Sequence, residues 1–279
     1  MTSTDQKPLK GWRVLVPRGG PWGDGVAYDL RAQGATPVVA PMINFAATQD
    51  AQALESALAD LAAGSFDWLT VTSATTVDVL SSHRAVVPEG TRIAAVGETT
   101  AAALVAAGYT VDFVPSIDSS ATALLEEWTE MAEGSPRRRV LTLRSEIAKP
   151  TLTDGLIARG HDVRSVVAYR TVGVPVSDRI REDVASGRVR AILVTSGSVA
   201  QQVHQQLGDV PDGVLIACIG PRTAKDARRS GVRVDVVASE RSAASLIQSL
   251  VEIARHEEPR PDTAGLTGLA DLLDRSSTE

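Results

Sequence analysis

The stretch WLTVTSATTV (68–77) reads as a short apolar strand that runs into a Thr-Ser step and then into a helix, and AILVTSGSVA (191–200) repeats that plan 123 positions later. The same offset relates Ile93-Ala94 to Ile216-Ala217, Gly97 to Gly220, Thr100-Ala101 to Thr223-Ala224, Gly108 to Gly231 and Val111-Asp112 to Val234-Asp235. A second pair of segments repeats at an offset of 126: WRVLVPR (12–18) parallels RRVLTLR (138–144), with Leu30 and Gly34 matching Leu156 and Gly160. A constant offset held over tens of residues marks an internal duplication. One copy runs from about 11 to 130 and the other from about 138 to 255, each an opening segment followed by a longer one.

Each copy alternates the same two signals. Short runs of Val, Ile and Leu at 14–16, 68–71, 93–96, 140–143, 191–194 and 214–219 predict buried strands. Helical patterns follow at 26–33, 76–82, 99–107, 152–159, 198–207 and 223–230, several ending at a glycine suited to the helix C-terminus (Gly34, Gly108, Gly160, Gly231). Strands alternating with helices of this length predict parallel sheets covered on both faces, with right-handed crossovers.

Composition bounds the function. The chain has 279 residues, 43% hydrophobic and 22% charged, enough apolar side chain for two ordinary domains. The formal charge of −6 argues against non-specific nucleic-acid binding. Cys218 is the lone cysteine and lies in an apolar run, so a disulfide framework and a cysteine-based zinc site are excluded and a buried structural thiol is expected. Four histidines without close pairing give no metal site. No apolar run reaches the roughly 20 residues of a membrane span, and the polar first ten residues carry no signal-peptide core. A cytoplasmic protein without membrane contact is expected. Residues 1–10 and 257–279 read as flexible tails.

In open α/β sheets ligands bind beyond the carboxyl ends of the strands. That rule selects Thr72-Ser73, Thr195-Ser196 with Ser198, Gly97 to Thr100 and Gly220 to Thr223. Their hydroxyls can cap helices, and the N–H groups beside them can receive an anion. Helix capping alone also accounts for each step, and a duplicated domain duplicates its caps. Arg18, Arg144, Lys149 and Arg222 fall at or near strand ends, where they are either solvated surface charge or the lining of an anion site. The glycine-rich stretch 19–25 follows a strand, but its spacing departs from the dinucleotide fingerprint and its repeat counterpart, 145–149, has no glycine. Tyr169, one of three tyrosines, stands where the other copy has Ile43, as either a proton donor to a leaving hydroxyl or a half-buried aromatic in a connecting strand.

In order and spacing, VLVPR (14–18), VTSATTV (71–77), AVGETTAAAL with Gly108, VLTLR (140–144), VVAYRT (166–171), VTSGSVA (194–200) and IGPRTAKDARRSG (219–231) resemble the uroporphyrinogen-III synthase family over most of the chain. The resemblance implies two flavodoxin-like α/β domains, each built from parts of both copies. Residues 11–40 with 174–255 form one, 47–167 the other, and 41–46 with 168–173 a two-stranded connection. It implies dehydrative cyclisation of hydroxymethylbilane with inversion of the last pyrrole ring, in a cleft between the domains and with no cofactor. Carried over residue by residue, Tyr169 matches the tyrosine that assists hydroxyl departure. Arg18, Ser73, Thr100, Arg144, Lys149, Ser196, Ser198 and Thr223 match substrate-binding positions. Two positions depart from the family pattern: the 145–150 loop lacks the usual glycines, with Lys149 where arginine is common, and Gly197 replaces a frequent proline. A monomer is expected, and the instability of the substrate raises transient contact with the preceding pathway enzyme. A non-catalytic binding module of the same fold and a nucleotide-using α/β enzyme are the rival readings. The tail after Glu257 is too short for an added DNA-binding domain, and the glycine spacing argues against the nucleotide.

Overall fold

The computed structural model describes residues 7–132 and 134–256. The chain opens with β1 (Arg13–Val16), α1 (Gly20–Ala32), β2 (Thr36–Val39), β3 (Ile43–Ala47) and α2 (Ala51–Ala62). It continues through β4 (Trp68–Val71), α3 (Ala74–Ser82), β5 (Arg92–Ala95), α4 (Glu98–Ala106) and α5 (Ala121–Glu127). Then come β6 (Arg139–Ser145), α6 (Thr151–Ala158), β7 (Asp162–Gly173), α7 (Asp178–Ala185) and β8 (Ala191–Val194). The last are α8 (Gly197–Leu207), β9 (Leu215–Cys218), α9 (Pro221–Arg229), β10 (Val236–Val237) and α10 (Ala243–His256). Two compact units result: one takes the described residues through Met42 and from Pro175 onward, the other Ile43–Val174.

The first unit holds a parallel sheet ordered β10-β9-β8-β1-β2. With strands renumbered from β1 this is the flavodoxin-type order 2-1-3-4-5. Val14, Val16, Ala191 and Leu193 face Val26 and Leu30 of α1 and Leu246, Ile247, Leu250 and Val251 of α10. The intervening Leu15 and Ile192 are also fully buried, which is why the strands read as unbroken apolar runs. Arg13 pairs with the buried Asp183 of α7 at 2.8 Å and so ties β1 to this unit.

The second unit holds a sheet ordered β5-β4-β6-β7-β3, parallel except for β3. One face packs Leu69, Val71, Leu141 and Leu143 on α2 and α3; the other packs Trp68, Val140, Trp128 and Met131 with α5 and α6. Segments 41–46 and 168–173, expected to connect the domains, pair as an antiparallel ladder from Ile43↔Gly173 to Ala47↔Tyr169. That ladder continues the second sheet, because β7 runs unbroken and passes from β6 on one edge to β3 on the other.

The repeat offsets reappear in the strand register. Leu15 lies opposite Ile192, and Ile192 opposite Ile216; their repeat counterparts Leu141, Leu69 and Ile93 pair in the same way. Arg13↔Thr36 becomes Arg139↔Asp162, and Val236↔Ala217 becomes Phe113↔Ala94. Asp235 accepts the Ile216 N–H at 2.8 Å, as Asp112 accepts that of Ile93. Each sheet therefore combines the opening segment of one repeat with the long segment of the other.

Local chemistry sets the element ends. Asp50 caps α2 by accepting from the Ala53 N–H at 2.9 Å, and Leu54, Ala57, Leu58 and Leu61 form its buried stripe. Gly108 and Gly231 follow α4 and α9 at φ +88° and +79°, the left-handed conformation that ends a helix. The helix expected at 26–33 begins earlier, at Gly20, because the glycine-rich stretch is itself its first turn. At Gly23 a Cβ would stand 2.2 Å from the Arg18 carbonyl oxygen. The stretch thus serves a close approach of backbone to backbone.

The expected tail at 1–10 is corrected over its described part: Leu9 is fully buried in the first core and its N–H bonds the Gln33 carbonyl at 2.9 Å. Residues 1–6 and 257–279 lie outside the described residues. Among the described residues no helix is long and apolar enough to cross a membrane, and no group of three or more His, Cys, Asp and Glu could hold a metal ion.

Two experiments test this packing. Gly23→Ala is expected to lower the thermal midpoint by several degrees, whereas Gly25→Ala in the same helix, with nothing within 4 Å of the new Cβ, is expected to hold or raise it. Equal midpoints would contradict the close approach. Burial pushes the Cys218 thiol up to about 11, so it stays protonated at neutral pH. A thiol reagent is expected to label it only on unfolding; rapid labelling of the native chain would contradict its burial.

Candidate active site

In the second unit the carboxyl ends of β4 and β6 lie side by side, with Tyr169 of the longer β7 next to the end of β6, at the place where strand order reverses and α/β sheets bind ligands. Ser73 follows β4 in extended backbone and caps α3, its Oγ accepting from the Thr76 N–H at 3.3 Å. The Tyr169 hydroxyl lies 2.9 Å from the same Oγ. Tyr169 is only 7% exposed, more deeply set than the half-buried aromatic the sequence allowed. Its backbone pairs with Ser145 of β6 and Ala47 of β3, and its carbonyl accepts the Glu146 N–H at 3.0 Å. Its ring meets the exposed Phe45 edge to face, with centroids 5.4 Å apart. Backbone, ring and hydroxyl are each held by a different neighbour.

The sequence left Arg144 as either solvated surface charge or part of an anion site. Its guanidinium instead donates to Ser165 Oγ and the Ser145 carbonyl, both at 3.1 Å, and to the Glu146 carbonyl at 3.3 Å. It pins the turn where β6 and β7 slip register. Lys149 is exposed in that turn. Thr100 is the third residue of α4 and 7% exposed; its N–H bonds the Gly97 carbonyl at 3.0 Å. α4 packs beside α3.

The first unit presents the matching rim. Ser196 caps α8, accepting from the Val199 N–H at 3.2 Å, and Ser198 is half-buried in the first turn. Thr223 is the third residue of α9 and 7% exposed, as Thr100 is in α4. Gly197 lies close to α9, where a Cβ would stand 3.2 Å from the Cβ of Asp226. Arg18 leaves β1 with its guanidinium over the Trp22 ring at 5.1 Å. The residue is exposed by area, yet partial desolvation lowers its pKa; an arginine remains charged all the same.

Of the sequence-derived residues, the structure joins Ser73 and Tyr169 directly and sets Arg144 in the neighbouring turn. Thr100 lies on the adjacent helix; Ser196, Ser198, Thr223 and Arg18 belong to the other unit. Two residues escaped the sequence reading. Thr76 Oγ1 lies 3.1 Å from Ser73 Oγ and is fully buried; its signal was its place one helical turn past the cap. Ser145, paired with Tyr169, keeps a buried hydroxyl without a partner among the described residues. That costs stability unless a ligand or water satisfies it; no sequence signal marks it.

Comparison with known proteins adds the family. Residues 24–248 match the family model described as uroporphyrinogen-III synthase HemD. The chain is 27% identical over 256 residues to a porphyrin biosynthesis protein HemD of Ruminiclostridium josui, covering 89% of this chain and 50% of that protein. It is 27% identical over 265 residues to a uroporphyrinogen-III synthase of Synechococcus elongatus, covering 90% of this chain and 98% of that one. The chain thus spans about half of the first relative and nearly all of the second. A mutant uroporphyrinogen III synthase structure from Thermus thermophilus superposes with a TM-score of 0.60 at 20% identity, covering 88% of this chain and all of that one. At that identity the superposition shows the fold. With the family model matching most of its length, this chain belongs to the uroporphyrinogen-III synthase family.

Proposed function

We propose that the chain is an active uroporphyrinogen-III synthase, a cyclising hydro-lyase of heme biosynthesis that converts hydroxymethylbilane to uroporphyrinogen III. Family membership supports the reaction, and one observation carries the site: a tyrosine hydroxyl held 2.9 Å from a helix-capping serine at the carboxyl ends of the strands.

The substrate is a linear tetrapyrrole bearing eight carboxylates. In this reading carboxylates meet the N–H groups that open α3 and α4, together with the Thr100 hydroxyl, while the Ser73 hydroxyl serves Tyr169. The N–H groups that open α8 and α9, with Ser196, Ser198 and Thr223, offer carboxylates the same chemistry in the first unit. Arg18 and Lys149 add positive charge, and Arg144 holds its turn in shape while keeping that charge nearby. Neutral donors in number allow an acidic chain to grip a polyacid. Tyr169 gives its proton to the terminal hydroxyl as the C–O bond breaks; the bonding pair leaves with oxygen and water departs. The pyrrole nitrogen lone pair fills the electron-poor carbon, so modest acid assistance suffices. The demanding part is orientation: the substituted carbon of the last ring must reach that electrophile. That carbon is already substituted and has no proton to lose, so the attacking ring regains aromaticity by breaking its bond to the methylene of the neighbouring ring, whose pyrrole nitrogen takes up the charge. The free α-carbon of the turned ring then bonds that methylene and loses its proton, which restores the phenol.

With freshly prepared hydroxymethylbilane the chain is expected to yield the type III isomer by chromatography; type I alone would overturn the assignment. Tyr169→Phe keeps the ring against Phe45 and removes the proton. It is expected to lower kcat by about 10² or more with KM changed only a few-fold; unchanged turnover would remove Tyr169 from the mechanism.

A further inference from the structure

Three hydroxyls form a chain in the second unit. Ser73 Oγ accepts the Thr76 N–H at 3.3 Å, lies 3.1 Å from Thr76 Oγ1 and lies 2.9 Å from the Tyr169 hydroxyl. A serine hydroxyl has one proton and two lone pairs. One lone pair is taken by the Thr76 N–H, so the two remaining contacts share one proton and one lone pair. Only two arrangements fit. Either Thr76 donates to Ser73 and Ser73 donates to Tyr169, or Tyr169 donates to Ser73 and Ser73 donates to Thr76.

Burial separates them. Thr76 is 0% exposed, and among the described residues its hydroxyl has Ser73 Oγ as its hydrogen-bond partner. In the second arrangement the Thr76 proton is buried without an acceptor, which is costly. In the first the Thr76 and Ser73 protons are both used, and the proton left over is that of Tyr169, which at 7% exposure keeps an access that Thr76, at 0%, lacks.

We propose that Thr76 is a positioning residue that orients this chain, so that Ser73 donates to the Tyr169 oxygen and the phenol proton points to the substrate. The inference rests on the synthase reading above. Thr76 touches no substrate atom; it acts through Ser73 on Tyr169. When the phenol gives up its proton, the Ser73 donor is already aimed at the oxygen that gains charge, and the Thr76 donor polarises it. The plain alternative is that Thr76 serves only to tighten the first turn of α3.

A double-mutant cycle decides between them. Thr76→Val removes the hydroxyl and keeps the shape. It is expected to lower kcat about ten-fold with KM within two-fold and the thermal midpoint unchanged, and Thr76→Ser is expected to restore kcat. In a Tyr169→Phe background Thr76→Val is expected to cost nothing further, because the oxygen it serves is gone. Equal losses in both backgrounds, or wild-type kcat in Thr76→Val, would overturn the proposal. If the valine variant unfolds, Thr76→Ala carries the same comparison. A wild-type chain that makes no type III product would overturn the synthase reading and this inference with it, an outcome distinct from an active chain indifferent to Thr76.

Discussion

Parallel strands buried on both faces leave polar side chains few places to meet, and the carboxyl ends of the strands are the chief one. The rest of this structure follows from that constraint. Both units have central strands with all or nearly all residues buried. Hydroxyls gather just past the strand ends, where helices begin and N–H groups lack partners. Ser73 and Ser196 each meet one of those N–H groups. The arrangement occurs twice, down to the register of the strand pairs and the aspartates that accept the Ile93 and Ile216 N–H groups.

The two rims are not equivalent in chemistry. One carries a phenol bonded to its capping serine; the repeat position of that tyrosine is Ile43. Capping serines stand on both rims, whereas the phenol stands on one. The proposed reaction, which holds many carboxylates and releases a single hydroxyl, fits that asymmetry. The strand that delivers the tyrosine also has two partners, β6 on one edge and β3 on the other, which fixes the phenol more firmly than a terminal loop could.

Much of the fold was legible in the sequence because it rests on local pattern. Apolar runs marked the strands, glycines marked the helix ends, and constant offsets marked the pairs of segments. What escaped depended on neighbours far apart in the chain. Ser73 and Tyr169 lie 96 positions apart and meet only because β4, β6 and β7 are adjacent. Arg144 looked like an anion ligand at a strand end, but the slip between β6 and β7 turns two carbonyls toward it. The glycines of 19–25 looked like a ligand loop, and the crowding that requires Gly23 involves a carbonyl five residues earlier. Thr76 carried only an ordinary helix position; its role depends on burial, which periodicity does not report. Leu9 was read with the polar residues around it, while the turn at 7–10 folds it into the first core.

The most direct measurement is the structure of the Tyr169→Phe variant with hydroxymethylbilane bound. The expected result has the terminal hydroxymethyl oxygen within about 2.6–3.2 Å of where the missing phenol oxygen would stand, with substrate carboxylates on the N–H groups that open α3 and on Thr100. A substrate whose hydroxymethyl end lies away from residue 169, or whose carboxylates avoid these helix starts, would contradict the account.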